Sequence, residues 1–226
     1  MGLLDDLKKQ ADMVRTHEHV QRSLRLENVQ AVEEAMRHAF RYFYDVLEQI
    51  KVIKPVNPVV YRMPGIGEMC DLVFIDAFAD TRDKREMAKA HLERIDLYIM
   101  WASKSDLLVE RDLPPAAEQV RHLLWRTGLK FTEQEVKNPR GIVALTRFII
   151  SKSVRMSLTL RADYSERRLV VLAKNLLRWG NDEFSIPADD CTEKLFEDMA
   201  GMLIGQPCDF RRYRTLLPAD SRFRSV

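Results

Sequence analysis

Residues 3–54 contain neither glycine nor proline, and this stretch of 52 residues is the feature that most constrains the fold. Glycine and proline are the residues that most often interrupt helices, so their absence predicts one continuous helix that stops at Pro55. Such a helix would be about 78 Å long, far longer than a compact domain needs. The excess length indicates a helical arm used for association. A reversal near residues 23–28 would instead give a hairpin of two shorter helices, and the sequence leaves both arrangements open.

The second part of this stretch, residues 29–53, has a heptad pattern of apolar residues. Two interleaved sets recur every seven positions: Val29, Met36, Phe43 and Ile50, and then Val32, Ala39, Val46 and Ile53. Such a seam is typical of a coiled coil, so it predicts that the first set binds a partner. A third apolar column, at Phe40 and Leu47, is instead typical of a helix packed on its own domain. Both arrangements fit, as does a helix packed at one end and paired at the other.

Beyond Pro55 the apolar residues alternate with polar ones, which is the pattern of half-buried strands. Strands are predicted at 70–79, 92–102, 106–111, 129–136, 142–151, 153–162 and 167–177. One helix is predicted from Pro114 to Gly128, and a final helix is predicted before Gly205. Asp190 and Glu193 have the spacing of a capping box at the start of that final helix. The charged segment 80–90 is predicted to be a connection that is mobile or briefly helical.

Strands that follow one another along the chain favour antiparallel pairing. The predicted fold class is therefore α+β, with a long N-terminal helical arm followed by a mainly antiparallel sheet with helices packed on it. The chain divides into a helical arm at 1–54, an α+β domain at 55–208 and a basic-aromatic tail at 209–226. The tail combines arginine and aromatic side chains, which are enriched at binding hot spots. Its predicted partner-binding residues are Phe210, Arg211, Arg212, Tyr213 and Arg214.

The overall charge is nearly balanced, at +2 from 36 basic and 34 acidic residues. This balance makes a dedicated nucleic-acid binder an unfavourable interpretation, because such proteins usually carry a strong basic excess. The cysteines Cys70, Cys191 and Cys208 are widely spaced, which is typical of reduced thiols and predicts a cytoplasmic protein. No apolar run is long enough for a transmembrane segment.

The strand at 153–162 carries the best candidate for a ligand site. Arg155, Ser157, Thr159 and Arg161 form one face of that strand, opposite an apolar face. Guanidinium groups with hydroxyls between them can hold a phosphate or a carboxylate. The alternative is a solvated sheet face stabilised by ion pairs between strands.

No residue pattern in the sequence matches a known catalytic, metal or nucleotide motif, so no catalytic residue, metal ligand or cofactor is predicted. We expect a non-enzymatic cytoplasmic interaction or scaffold protein that self-associates, as a homodimer, or docks on another protein through its helical arm. The alternative is a sensor or carrier of a phosphorylated or apolar small molecule bound against the sheet, with Arg155 and Arg161 as anchors. An enzyme of unfamiliar type and a nucleic-acid binder that uses the tail are the remaining hypotheses.

Overall fold

The computed structural model describes residues 2–86, 89–104 and 106–206. Its longest element is one continuous helix, α1 (Leu3–Ile53), without a reversal near residues 23–28. The helix ends where Lys54 adopts the left-handed conformation, with a φ of 47°, and donates its N–H to the carbonyl of Ile50. Pro55 follows and has no N–H to continue the helix.

After α1 the chain forms mostly strands, as the alternating pattern predicts. The elements are β1 (Val56–Asn57), β2 (Tyr61–Met63), β3 (Gly67–Met69), β4 (Leu72–Glu86), β5 (Lys89–Ala102), β6 (Leu107–Arg111), α2 (Pro114–Thr127), β7 (Phe131–Lys137), β8 (Val143–Ile150), β9 (Ser153–Asp163), β10 (Arg168–Lys174), β11 (Asn181–Pro187) and α3 (Glu193–Leu203). Within the described residues the main sheet has the order β1-β4-β5-β9-β10-β11, the small sheet has the order β6-β8-β7, and β2 pairs with β3. These pairings are antiparallel, which confirms the predicted α+β class.

The hydrophobic core lies between α1 and one face of the main sheet. The predicted apolar face of β9, at Val154, Met156, Leu158 and Leu160, is fully buried there. Phe43 of α1 packs on this core beside α3, with its ring centroid 5.7 Å from that of Phe196. One side of α1 and one side of the sheet are therefore apolar because they cover each other. Among the helices described, none is long and apolar enough to cross a membrane.

The described part of the segment 80–90 differs from its prediction, because residues 80–86 and 89–90 belong to two paired strands. β4 continues to Glu86 and β5 begins at Lys89, so paired backbone runs through most of this charged segment. Arg82 still lies opposite Arg94, and Lys84 lies opposite His91. The backbone hydrogen bonds of a ladder do not require an apolar face, so the charged side chains do not end the strands.

Two smaller differences occur near the C-terminal end of the described chain. The strand β11 was not predicted, since its sequence lacks a clear alternation of apolar and polar residues. The N-cap of α3 is Thr192, whose hydroxyl accepts a hydrogen bond from the N–H of Leu195. The predicted cap, Asp190, lies in a separate single turn of 3₁₀-helix before it. A short hydroxyl side chain serves this role as well as a carboxylate, and only its position relative to the first turn decides which is used.

Candidate functional site

The first half of α1 extends beyond the folded body of the protein. Residues 7–27, named here the exposed arm, are exposed at every position. The large apolar side chains of the arm are between 48% and 65% exposed: Leu7, Met13, Val14, Val20, Leu24 and Leu26. A helix of this length measures about 31 Å, which is comparable with the diameter of a small domain.

The apolar stripe of the exposed arm lies in line with the buried face of the same helix. Leu7, Ala11 and Val14 each come 36 positions before a core residue, namely Phe43, Leu47 and Ile50. A regular α-helix has about 3.6 residues per turn, so residues 36 positions apart point to the same side. The face that packs on the main sheet therefore continues along the arm, where nothing in the described part of the chain covers it.

The predicted seam of α1 is part of the protein's own core. Met36 and Phe43 are 0% exposed and Ile50 is 6% exposed, while Val29 is half-buried at the point where the helix reaches the body. Their side chains pack on the same chain and leave little surface for a partner. The heptad pattern is thus accounted for by packing on the domain.

Arg155 and Arg161 lie on the face of the main sheet opposite α1, as their alternation with buried residues predicts. The guanidinium group of Arg155 lies over the ring of Tyr98, 4.2 Å from its centroid. Arg161 lies opposite Arg94 in the ladder. Six residues of strand separate the two arginines by about 20 Å, so they do not converge on one small ligand.

A groove of about 530 Å³ opens between α1 and the β4–β5 hairpin, on the helix side of the main sheet. This volume is within the range of small-molecule sites. Arg37, Phe40 and Arg41 line it from α1, and the hairpin contributes Thr81, Asp83, Ala90 and Leu92. The groove therefore has a cationic wall, an apolar surface and an acidic group on the opposite wall.

A chain of polar contacts joins the walls of this groove. The carboxylate of Glu33 contacts His91 Nδ1 at 2.6 Å through one oxygen and accepts a hydrogen bond from Arg37 Nη2 at 3.2 Å through the other. Beside them, the hydroxyl of Tyr164 donates to the carbonyl of Leu92 at 2.8 Å. Burial, with a smaller contribution from the charge of Glu33, raises the pKa of Tyr164 to about 12, so this hydroxyl keeps its proton and remains a donor.

Sequence reasoning did not identify this groove. Arg37 and Arg41 belong to none of the apolar columns identified in residues 29–53, while Thr81 and Asp83 belong to the segment interpreted as a connection. The one available signal was the pair of arginines four positions apart, which places both on the same side of a helix next to Phe40. Nothing in the sequence places the β4–β5 hairpin opposite them.

The tail residues Phe210, Arg211, Arg212, Tyr213 and Arg214 lie outside the described residues, so their predicted contact with a partner stays a prediction. Among the residues that the structure describes, no group of three or more His, Cys, Asp or Glu side chains is arranged to hold a metal ion. No protein-family model, no curated protein and no solved structure matches this chain.

Proposed function

We propose that the protein is a non-enzymatic interaction protein that self-associates through its exposed arm, with the α+β body as a rigid base. The observation that carries this proposal is the uncovered stripe of Leu7, Ala11 and Val14, in line with the core face of the same helix. An apolar helix face is normally covered by another element. On the arm, a second helix is the element that fits.

Energetics also favour a partner for the arm. An isolated helix of about 20 residues is only marginally stable in water, because most helical stability in proteins comes from tertiary packing. The ion pair between Arg15 and Asp12 on the arm is 3.7 Å long and about three-quarters exposed at both ends, with side-chain exposures of 80% and 75%. Pairs of this kind contribute roughly 0–1 kcal/mol. Burial of the apolar stripe against a partner would contribute more stabilising free energy than such an ion pair.

A second copy of the chain is the partner that this surface fits most directly. In a two-fold symmetric dimer the same patch meets itself, so each copy contributes an equal apolar stripe. Pairing along the exposed arm also leaves the core half of α1 undisturbed. The arm would then hold two bodies apart rather than merge them, which suits a scaffold.

The direct test compares the mass in solution of the full chain with that of a chain lacking residues 2–27. The deletion must spare residues 28–53, because Met36 and Phe43 belong to the core. We expect the full chain to be a dimer and the truncated chain to be a folded monomer, measured by light scattering and sedimentation. A full chain that is monomeric at all concentrations, or a truncated chain that stays dimeric, would contradict the proposal.

Point variants refine this test. The double variant Leu7→Gln with Val14→Gln should weaken dimerisation by about a hundredfold or more, since each lost apolar contact is worth roughly 1.5 kcal/mol or more. Leu26→Gln is the matched control, because Leu26 is 65% exposed on another side of the same helix. Equal weakening by the control would show that the stripe is not the contact surface.

A further inference from the structure

We propose that the groove between α1 and the β4–β5 hairpin binds a small organic anion, whose acid group is held by Arg37 and Arg41 and whose apolar body lies against Phe40. This site is separate from the exposed arm and does not depend on self-association. The ligand class is a carboxylate or a phosphate monoester attached to an aromatic or aliphatic group.

Arg37 and Arg41 form the cationic wall, and each guanidinium group has more N–H donors than its contacts described below use. Arg37 and Arg41 are one helical turn apart, so their guanidinium groups lie on the same side of α1. Arg37 donates to Glu33 through Nη2 at 3.2 Å, and Arg41 donates through Nε to the carbonyl of Arg37 at 3.4 Å. No N–O distance of 4.0 Å or less joins Arg41 to a carboxylate whose side chain the structure describes. A guanidinium group carries several N–H donors in one plane, so this wall can hold an oxyanion at more than one point.

The opposite wall carries Asp83, which lines the same groove as both arginines. No N–O distance of 4.0 Å or less joins Asp83 to either of them in the described part of the chain. Opposite charges thus face one groove without closing it, which leaves room for a ligand between them. The Asp83 carboxylate repels an acid group, so the acid must point toward the helix. Asp83 and the Thr81 hydroxyl can instead accept hydrogen bonds from a hydroxyl or amine at the ligand's other end.

The remaining lining is apolar and defines the size of the ligand. Phe40 presents its side chain from α1, and Leu92 and Ala90 lie across from it on β5. Apolar lining with a few convergent polar groups is the usual composition of a small-molecule site. A bare inorganic anion would leave the apolar surface unused. The groove therefore favours an anion with an organic body.

The walls are held at a set separation before any ligand arrives. The contact between Glu33 Oε1 and His91 Nδ1, at 2.6 Å, joins α1 to β5, and the two side chains are 19% and 22% exposed. The hydroxyl of Tyr164 also donates a hydrogen bond to the backbone carbonyl of Leu92. A site whose walls are already positioned loses less free energy on binding than one that must be ordered by its ligand. The Glu33–His91 contact therefore favours a groove that is formed before the ligand binds.

The test uses probes that separate the acid from the apolar body. Phenyl phosphate and benzoate carry both features, inorganic phosphate carries only the anion, and benzyl alcohol carries only the ring. Binding to the full chain is measured by calorimetry and by NMR of the arginine Nε–Hε groups. We expect phenyl phosphate or benzoate to bind about tenfold more tightly than inorganic phosphate or benzyl alcohol and to shift the signals of Arg37 and Arg41. Whichever of the two binds better identifies the acid group.

Matched variants decide whether the groove is responsible. Arg41→Gln should weaken binding of the better probe by about tenfold, the loss expected for one charged hydrogen-bonding group. Asp83→Asn should strengthen binding by about threefold, because it removes a nearby negative charge. Arg22→Gln, an exposed arginine on the arm half of the same helix, should leave the affinity unchanged. Equal affinity for all probes, no binding up to about 20 mM, or an equal loss in Arg41→Gln and Arg22→Gln would overturn the proposal.

Discussion

The two halves of α1 have apolar residues on the same side but lie in opposite surroundings. In residues 29–50 that side packs on the main sheet, and Met36 and Phe43 are fully buried. In the exposed arm, residues 7–27, Leu7 and Val14 occupy the same side and remain more than half exposed, at 52% and 56%. Helical periodicity therefore identifies which side of a helix is apolar, but it does not identify the surface that covers this side.

This difference implies that the two halves depend on different interactions. The core half is stabilised by burial of apolar surface within the chain, a contribution that is present in the monomer. The arm has only its intrinsic helix propensity and exposed ion pairs until a partner covers it. Matched substitutions in the two halves should therefore give unequal effects.

The largest difference is expected for truncation of an apolar side chain. Phe43→Ala should lower the free energy of unfolding by about 3–5 kcal/mol, because it removes buried apolar surface and leaves a cavity. The matched change Leu26→Ala in the arm should alter it by less than about 0.5 kcal/mol. Chemical denaturation of both variants provides the measurement. Comparable losses would mean that the arm is packed in the monomer, and they would contradict the conclusion that the two halves of α1 depend on different interactions.

The second-largest difference in stability is expected for substitution by proline on the exposed side of each half. Asp45→Pro should destabilise the body by about 3 kcal/mol, since it interrupts a helix that the core needs in place. Gln21→Pro should reduce helical circular dichroism but leave unfolding of the body unchanged. Tryptophan fluorescence reports the unfolding of the body, since Trp101 is fully buried there. A large shift in that transition for Gln21→Pro would show coupling between arm and body.

The smallest contrast concerns ion pairs. Glu33→Ala removes the contact with His91 that joins α1 to β5, together with the contact with Arg37 inside α1. It should cost about 1 kcal/mol, since the Glu33–His91 pair is only partly exposed. Asp12→Ala removes the exposed pair with Arg15 and should cost less than about 0.5 kcal/mol. Thermal denaturation of both variants at the same protein concentration measures the two losses of stability. If Asp12→Ala costs as much as Glu33→Ala, the arm has stabilising contacts of its own.

Much of the local structure was predictable because its causes are local. The breaker-free stretch before Pro55 predicts α1, and Gly128 ends α2 in the left-handed conformation, with a φ of 68°. Alternation along residues 153–162 correctly separates the buried residues of β9 from Arg155 and Arg161. In each case the conformation of a residue depends mainly on neighbours a few positions away in the sequence.

Sequence patterns were thus sufficient to predict that α1 ends before Pro55, which residues lie on each face of β9, and the antiparallel α+β class. Tertiary packing places Phe43 in the core while Val14 is exposed, and it extends β4 to Glu86 and β5 back to Lys89. It also brings Arg41 and Asp83 to one groove. The physical reason is that a periodic pattern records which side of an element is apolar, whereas the identity of the surface opposite depends on chain segments tens of residues away. For Arg41 and Asp83 that surface forms only when β4 and β5 pack beside α1.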